Sequence, residues 1–275
     1  MSIGKTLRLR RLLDAETGTS IMFAFSHGTS APEVLPGLEE PVRVIEAAAS
    51  GGADCVFLAP GLIQAIGDVA ATTSLGVAVK VSATASRGGK PYQEVLTTSV
   101  ERSLELGADA VVALIPFAPE NEPEVIAMTA ALGEACGRWG MPFIAEAEYP
   151  NSYYGTEDFA SSWGVPYLKR SARMCSELGA DIVKSNWTGS VDTFAEIVEC
   201  VPVPVVVAGG SRVSDLDLLQ NLQAAHEAGA IGCSVGRNIF QHPAPERMVR
   251  AIAAIFKEGG GAQEAFDREL REVVA

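Results

Sequence analysis

Histidine is scarce in this chain: only His27, His226 and His242 occur, and no H-E-x-x-H spacing joins two of them. Metal-dependent carbonyl chemistry of the usual histidine-ligated kind therefore lacks its ligands, and no metal site is expected. Cysteine is sparse too and badly placed for bridging. Cys55, Cys136, Cys175, Cys200 and Cys233 are odd in number, scattered, and form no C-x-x-C pair. That argues against a disulfide frame and suits a reducing, cytoplasmic setting. Cys55 and Cys233 lie inside apolar runs, where a thiol is usually an inert core residue. Positive charge is also short: 21 Lys and Arg against 34 Asp and Glu leave a net charge of −13. Such a field repels polyanions, so neither nucleic acid nor an anionic membrane is an expected partner. A local cluster of donors can still hold a phosphorylated metabolite. No apolar run is long enough to span a bilayer, and no secretory signal is expected at the N-terminus.

What the chain does have is an internal repeat. Gly52-Ala-Asp-Cys-Val-Phe-Leu58, Gly107-Ala-Asp-Ala-Val-Val-Ala113, Gly179-Ala-Asp-Ile-Val-Lys184 and Gly229-Ala-Ile-Gly-Cys-Ser-Val235 share one grammar. A helical stretch is closed by glycine, and an apolar run opens that reads as a strand. A second set interleaves with it: Ile21 to Phe25, Gly76 to Val81, Met141 to Ala147 and Val203 to Ala208. Near-continuous Val, Ile and Ala strands imply burial on both faces, hence a parallel sheet covered by helices. Eight such units in about 250 residues predict an α/β fold of the (β/α)8 TIM-barrel kind, one domain over residues 1–275. An open doubly wound sheet is the alternative, but no glycine-rich turn follows the first strand. Pro41 to Ser50 predicts an amphipathic helix, and Thr188-Gly-Ser190 caps another from Val191 to Glu199. The basic segment Lys5 to Leu13 reads as a short helix, with leucines on one side, capping the barrel floor. After Gly259-Gly-Gly261, the stretch Gln263 to Val273 reads as an extra helix packed on the barrel or a neighbouring subunit.

In such a barrel the chemistry sits where the strands end. The first strand ends at Ser26-His27-Gly28, the third at Lys80, the fifth at Glu146, Glu148 and Tyr149, and the sixth at Lys184. A lysine closing a buried strand is unusual. Among apolar neighbours its pKa falls and the free amine attacks a carbonyl; alternatively it snorkels to the rim or pairs with a carboxylate. Lys80 has two readings as well, contact with phosphate or pairing with a carboxylate. The seventh and eighth strands run into Gly209-Gly210-Ser211-Arg212 and Gly236-Arg237-Asn238. Loops in those two places are the usual phosphate cradle of the fold, with glycine amides, the Ser211 hydroxyl and the Arg237 guanidinium as donors. An amine beside a phosphate cradle points to imine chemistry on a phosphorylated ketone or aldehyde, with no cofactor required.

These residues carry a resemblance. Gly4-Lys5 with Arg8 and Arg11, Ser26-His27-Gly28, Glu40-Pro41, Gly52-Ala-Asp54 with Pro60-Gly61, and Tyr149-Pro150 stand in order. Lys184 with Trp187-Thr-Gly189, Gly209-Gly210 and Val235-Gly-Arg-Asn238 follow. In that order the set resembles the archaeal-type class I fructose-bisphosphate aldolase family, which includes the aminodideoxyheptulosonate synthases and an autoinducer-processing thiolase. The resemblance implies a metal-independent lyase in which Lys184 forms a Schiff base with dihydroxyacetone phosphate or a similar ketone phosphate. It also implies Tyr149 as acid/base, an aldehyde as second substrate, and a homo-oligomer, since related enzymes form large rings. One departure stands out: the family's Asp-His-Gly is Ser26-His27-Gly28 here. Serine is no base at neutral pH, so Glu146, Glu148 or His27 takes the aspartate's role, or the reaction differs. The segment Lys80 to Ser86 is a loose version of the family's Gly/Ser/Thr-rich loop. The loop Asn151 to Val165 reads as a lid over the acceptor and departs from the family's Pro-Arg-Gly continuation.

Three functions follow as expectations. The first is an aldolase joining or cleaving a ketone phosphate and an aldehyde in a biosynthetic pathway. The second is a heptulosonate-synthase-like enzyme using aspartate semialdehyde, with Arg87 or Arg170 clamping the acceptor carboxylate. The third is a catalytically silent ligand-binding barrel.

Overall fold

The computed structural model describes residues 2–85, 93–150 and 158–273. Ser86, Arg87 and the first part of the expected lid, residues 151–157, lie outside the described residues. The strands are β1 (Ser20–Ala24), β2 (Cys55–Leu58), β3 (Gly76–Lys80), β4 (Ser82–Thr84), β5 (Glu94–Leu96), β6 (Ala110–Leu114), β7 (Phe143–Glu146), β8 (Ile182–Ser185), β9 (Val205–Ala208) and β10 (Gly232–Val235). Eight of them close an all-parallel barrel in the order β1-β10-β9-β8-β7-β6-β3-β2. Every one of the eight coincides with an expected apolar run. No helix of the described residues is long and apolar enough to cross a membrane.

Side chains alternate across each strand, as the pleat requires. Met22, Phe57, Ala78, Val112, Ile144 and Val206 fill the barrel interior, with Leu12 closing it from below. Phe23, Val56, Val79, Phe143, Val183 and Val207 face outward against the surrounding helices. Both faces are buried, which is why these strands read as continuous apolar runs rather than alternating ones. Cys55 and Cys233 are fully buried, and burial pushes both thiols up, as expected of core residues.

The Gly-Ala-Asp repeat has a physical basis beyond helix termination. Gly52, Gly107, Gly179 and Gly229 all adopt positive φ, the left-handed turn that ends a helix and that other residues enter at a cost. After the first three, the aspartate two residues on accepts from an amide at the start of the neighbouring strand. Asp54 takes Ile21 N at 2.8 Å, Asp109 takes Val77 N at 3.1 Å, and Asp181 takes Phe143 N at 2.9 Å. Each carboxylate is balanced by a cation: Lys257 for Asp54, Arg11 for Asp109 and Lys5 for Asp181. The barrel floor is therefore closed by three carboxylates that satisfy otherwise orphaned strand amides.

The N-terminal helix Ile3–Leu9 caps this floor through polar anchors. Lys5 reaches Asp181, and Arg8 Nη1 donates to Gly140 O at 3.1 Å. Leu9 packs beneath the barrel interior and Leu12, just beyond the helix, closes it, while Ile3 and Leu7 are 80% and 57% exposed. The helix Pro41–Ser50 forms as expected, and Ser190 Oγ accepts from Thr193 N at the start of Val191–Glu199. The C-terminal helix, Ala262–Glu269, packs on the barrel's own helices Asp215–Glu227 and Pro245–Phe256. A hairpin of β4 and β5, not expected from sequence, rises above β3 and is held by Ser82 and Thr84 donating to Glu94.

The barrel closes between β1 and β10, where Gly232 leaves no room for a side chain: a Cβ there would stand 1.9 Å from Ser20 O. Gly232→Ala is expected to destabilise the fold by about 1–3 kcal/mol through forced backbone displacement. Chemical denaturation compared with Gly67→Ala, where no atom lies within reach of a new Cβ, checks this.

Candidate active site

A cavity of about 540 Å³ opens at the C-terminal ends of the barrel strands. Its lining gathers Ser26, His27, Lys80, Glu146, Glu148, Tyr149, Lys184, Gly209, Gly210, Ser211, Gly236 and Arg237. Residues expected at the ends of six different strands thus meet in one place.

Lys184 points into the barrel because Val183 points out, and parallel pairing sets Lys184 beside Glu146 on the next strand. Its Nζ lies 2.8 Å from Glu146 Oε1 and 2.7 Å from Glu148 Oε1, with the side chain only 9% exposed. The contact to Glu146 is a hydrogen bond; that to Glu148 is an ion pair without hydrogen-bond geometry. This corrects the expectation of an apolar pocket that depresses the amine. Burial alone pushes the Lys184 pKa down, but the two carboxylates outweigh it and leave the ammonium above its ordinary value. Glu146 is the mirror case. Burial favours its neutral form, yet Lys184 and Lys80 together drive its carboxyl well below the usual range.

Of the two readings of Lys80, the structure shows the ion pair: Nζ bonds Glu146 Oε2 inside the barrel mouth. Lys80, Glu146 and Lys184 form a line of alternating charge across β3, β7 and β8, to which Glu148 adds a second negative charge.

Tyr149 follows β7 on the rim. Its amide donates to Asn186 Oδ1 at 2.8 Å, and its ring stacks on Tyr167 at 5.5 Å and 15°. Burial and then Asp158 push the phenol up, so it stays protonated and able to donate. Tilted ring contacts continue from Tyr167 through Trp163 to Phe159 along the helix Phe159–Glu177, which breaks at Gly164. Residues 158–165 of the expected lid are thus the start of this helix.

Across the cavity, Asn238 ties the two glycine loops together. Its Nδ2 donates to Gly209 O at 3.0 Å and Ser211 O at 3.1 Å, and its Oδ1 accepts from Val213 N. Gly236 is required by crowding: a Cβ would sit 2.3 Å from His27 Cε1 and 2.7 Å from Ala24 O. His27 packs edge-on against Phe240 at 5.1 Å. Burial, then the Arg237 and Lys184 charges, push its imidazole down to about 3. Neutral and that weakly basic, His27 is a poor substitute for the family's strand-one aspartate. Ser26 is buried at the cavity wall.

Asn186 and Ser234 line the cavity and were not singled out from sequence. Gly232-Cys-Ser-Val-Gly236 spells the G-x-S-x-G pattern of hydrolases, but Ser234 lies within β10 rather than on a strand-to-helix elbow. No histidine among the described residues bonds its hydroxyl. Arg170 is not in the cavity: it pairs with Glu122 at 2.6 Å on the outer helix layer, 52% exposed, so it cannot clamp an acceptor. His226 bonds Ala230 O and His242 bonds Asp215, both away from the cavity.

A closed parallel barrel with a carboxylate-flanked lysine at its C-terminal mouth defines a barrel aldolase of the Schiff-base kind. The chain belongs to the DeoC/LacD aldolase family, whose model matches residues 12–242. It is 30% identical over 269 residues to the 2-amino-3,7-dideoxy-D-threo-hept-6-ulosonate synthase of Halobacterium salinarum, covering 96% of each chain. It is 32% identical over 258 residues to the 2-amino-4,5-dihydroxy-6-oxo-7-(phosphonooxy)heptanoate synthase of Streptomyces griseus, covering 93% of this chain and 91% of that one. An archaeal fructose 1,6-bisphosphate aldolase superposes with a TM-score of 0.79 at 28% identity, over 93% of this chain and 100% of that one. A second, solved with its catalytic lysine covalently bound to the carbinolamine intermediate of the substrate, gives 0.79 at 26%, over 92% and 99%.

The cavity electrostatics predict a silent histidine. In 15N-resolved imidazole NMR, His27 keeps the neutral-ring pattern down to about pH 5, well below where an ordinary histidine titrates. A midpoint near the usual value would contradict the burial and charge environment described.

Proposed function

We propose that the chain, as one barrel domain over residues 1–275, is a class I aldolase. In this reading it joins a ketone phosphate such as dihydroxyacetone phosphate to an aldehyde through an imine on Lys184. The observation that carries this is Lys184 Nζ, buried at the strand ends between two carboxylates and facing a cavity with glycine loops on its other wall.

The paired ammonium must first lose a proton, and Glu148 is the acceptor: it touches Nζ and carries no second cation among the described residues, whereas Glu146 is held by Lys80 as well. The nitrogen lone pair adds to the ketone carbon, the carbonyl electrons move to oxygen, and Glu148 returns the proton to that oxygen. Loss of water gives the iminium, an electron sink for the adjacent carbon. Glu148, a carboxylate again, takes a proton from that carbon to form the enamine, which adds to the aldehyde, and later passes that proton to Tyr149. Tyr149, kept protonated by burial, donates to the new alkoxide, and water releases the product from Lys184. Gly209, Gly210, Ser211, Gly236 and Arg237 hold the phosphate and fix the donor in reach of the amine. Ser26 and His27 line the wall between cradle and amine, as positioning groups rather than bases.

The relatives favour an amino-aldehyde acceptor such as aspartate semialdehyde. Both names describe seven-carbon 2-amino acids with a ketone at C6, and an aldol cut between C4 and C5 leaves a three-carbon ketone and a four-carbon amino aldehyde. The 7-phosphonooxy group of the second name matches a phosphorylated donor. A cytoplasmic homo-oligomer is part of the same reading, by likeness to the family. A silent barrel is disfavoured, because three buried charges and the half-buried Glu148 would be held together without use.

Borohydride trapping with dihydroxyacetone phosphate, read by mass spectrometry, is expected to label Lys184 and to fail in Lys184→Met. Arg237→Ala is expected to weaken the phosphorylated donor about tenfold to a hundredfold while leaving unphosphorylated dihydroxyacetone little changed. No adduct at saturating ketone phosphate would remove the aldolase reading, and equal losses for both donors would remove the phosphate assignment.

A further inference from the structure

Lys80 is one of two lysines inside the barrel mouth among the described residues, and it does not face the glycine loops freely: its ammonium is bonded to Glu146 Oε2. The opposite oxygen of that carboxylate holds Lys184 Nζ at 2.8 Å. Lys80, Glu146 and Lys184 are all nearly inaccessible to solvent, so their charges act on one another with little screening. We propose that Lys80 is a positioning residue for the lysine chemistry and not a phosphate ligand. Its fixed positive charge, set behind Glu146, leaves that carboxylate able to aim Lys184 without gripping its proton, so the proton passes to Glu148. This rests on the aldolase reading above.

Charge balance decides where the proton rests. With Lys80 present, Glu146 and Lys80 together are neutral, and Lys184 faces one uncompensated carboxylate, Glu148. Without Lys80, two uncompensated carboxylates would hold the Lys184 proton more tightly, and the free amine would appear only at higher pH. Among the described residues, the other groups that face the cluster are Glu94 from β5, His27 after β1, Tyr149 after β7, Asp158 at the start of the helix that follows it, and Arg237 after β10. Glu94 is engaged by Ser82 and Thr84, and burial pushes its carboxyl up. His27 is neutral at working pH. None of them can replace a cation bonded directly to Glu146 Oε2.

The test is the pH dependence of borohydride trapping at Lys184 with dihydroxyacetone phosphate and with dihydroxyacetone. Lys80→Met is expected to move the midpoint of trapping upward by about one to two pH units. The preference for the phosphorylated donor should stay as in the wild type, and Lys80→Arg should restore the wild-type midpoint. If Lys80→Met does not fold, Lys80→Gln, which keeps a donor to Glu146 without the charge, gives the same reading. An unshifted midpoint with a selective loss of the phosphorylated donor would overturn the proposal and return Lys80 to the phosphate cradle. Failure of the wild type to form any adduct would instead overturn the aldolase reading beneath it.

Discussion

Two lysines and two glutamates share the mouth of this barrel with almost no access to water, and the site depends on their mutual compensation. A lone buried ammonium or carboxylate would be expelled or neutralised. Removing one partner of such a pair typically costs about 3–5 kcal/mol, because the remaining charge is left uncompensated. The cluster is neutral as a whole, with Glu146 at its centre. That arrangement keeps a primary amine at a fixed point in a cavity while holding it ready as an ammonium. In the proposed reaction the proton moves a short way to Glu148, so the resting protein would store the nucleophile as one half of an ion pair.

The two ends of the barrel solve different problems with the same residue types. At the floor, Asp54, Asp109 and Asp181 satisfy strand amides and are balanced by Lys257, Arg11 and Lys5. Those pairs do not line the upper cavity and close the structure. At the mouth, Glu146 and Glu148 have no backbone amide to serve among the described residues and spend their charge on lysine. This follows the division of the fold into a stabilising face and a reactive one.

Much of the architecture was legible because its signals are local. Glycine-terminated helices followed by apolar runs located all eight barrel strands, and strand ends then located the cavity. What escaped depended on partners across strands. The sign of the Lys184 shift is set by Glu146 on β7, and only pairing register makes them neighbours. Sequence therefore offered an apolar lysine and a paired one as alternatives, and the structure shows the paired one. Lys80 was ambiguous for the same reason. The β4–β5 hairpin has three residues per strand, too short for a periodic pattern. Asn186 acts through a bond to the Tyr149 amide and Asn238 through three bonds at the glycine loops, and no local pattern names those partners. Arg170 resembled a clamp by composition, but it faces outward on its helix to meet Glu122.

The substitution of Ser26 for the family's aspartate takes on a physical meaning in this setting. With Glu148 already on the amine and Glu146 behind it, a further carboxylate on the β1 side would add negative charge to a balanced cluster. The most direct measurement of the account is a crystal structure of the protein soaked with dihydroxyacetone phosphate. Continuous density from Lys184 Nζ to the central carbon of the ketone, with the phosphate against Gly210 and Arg237, is the predicted result. A ketone phosphate bound elsewhere, with Lys184 still bonded to Glu146, would contradict it.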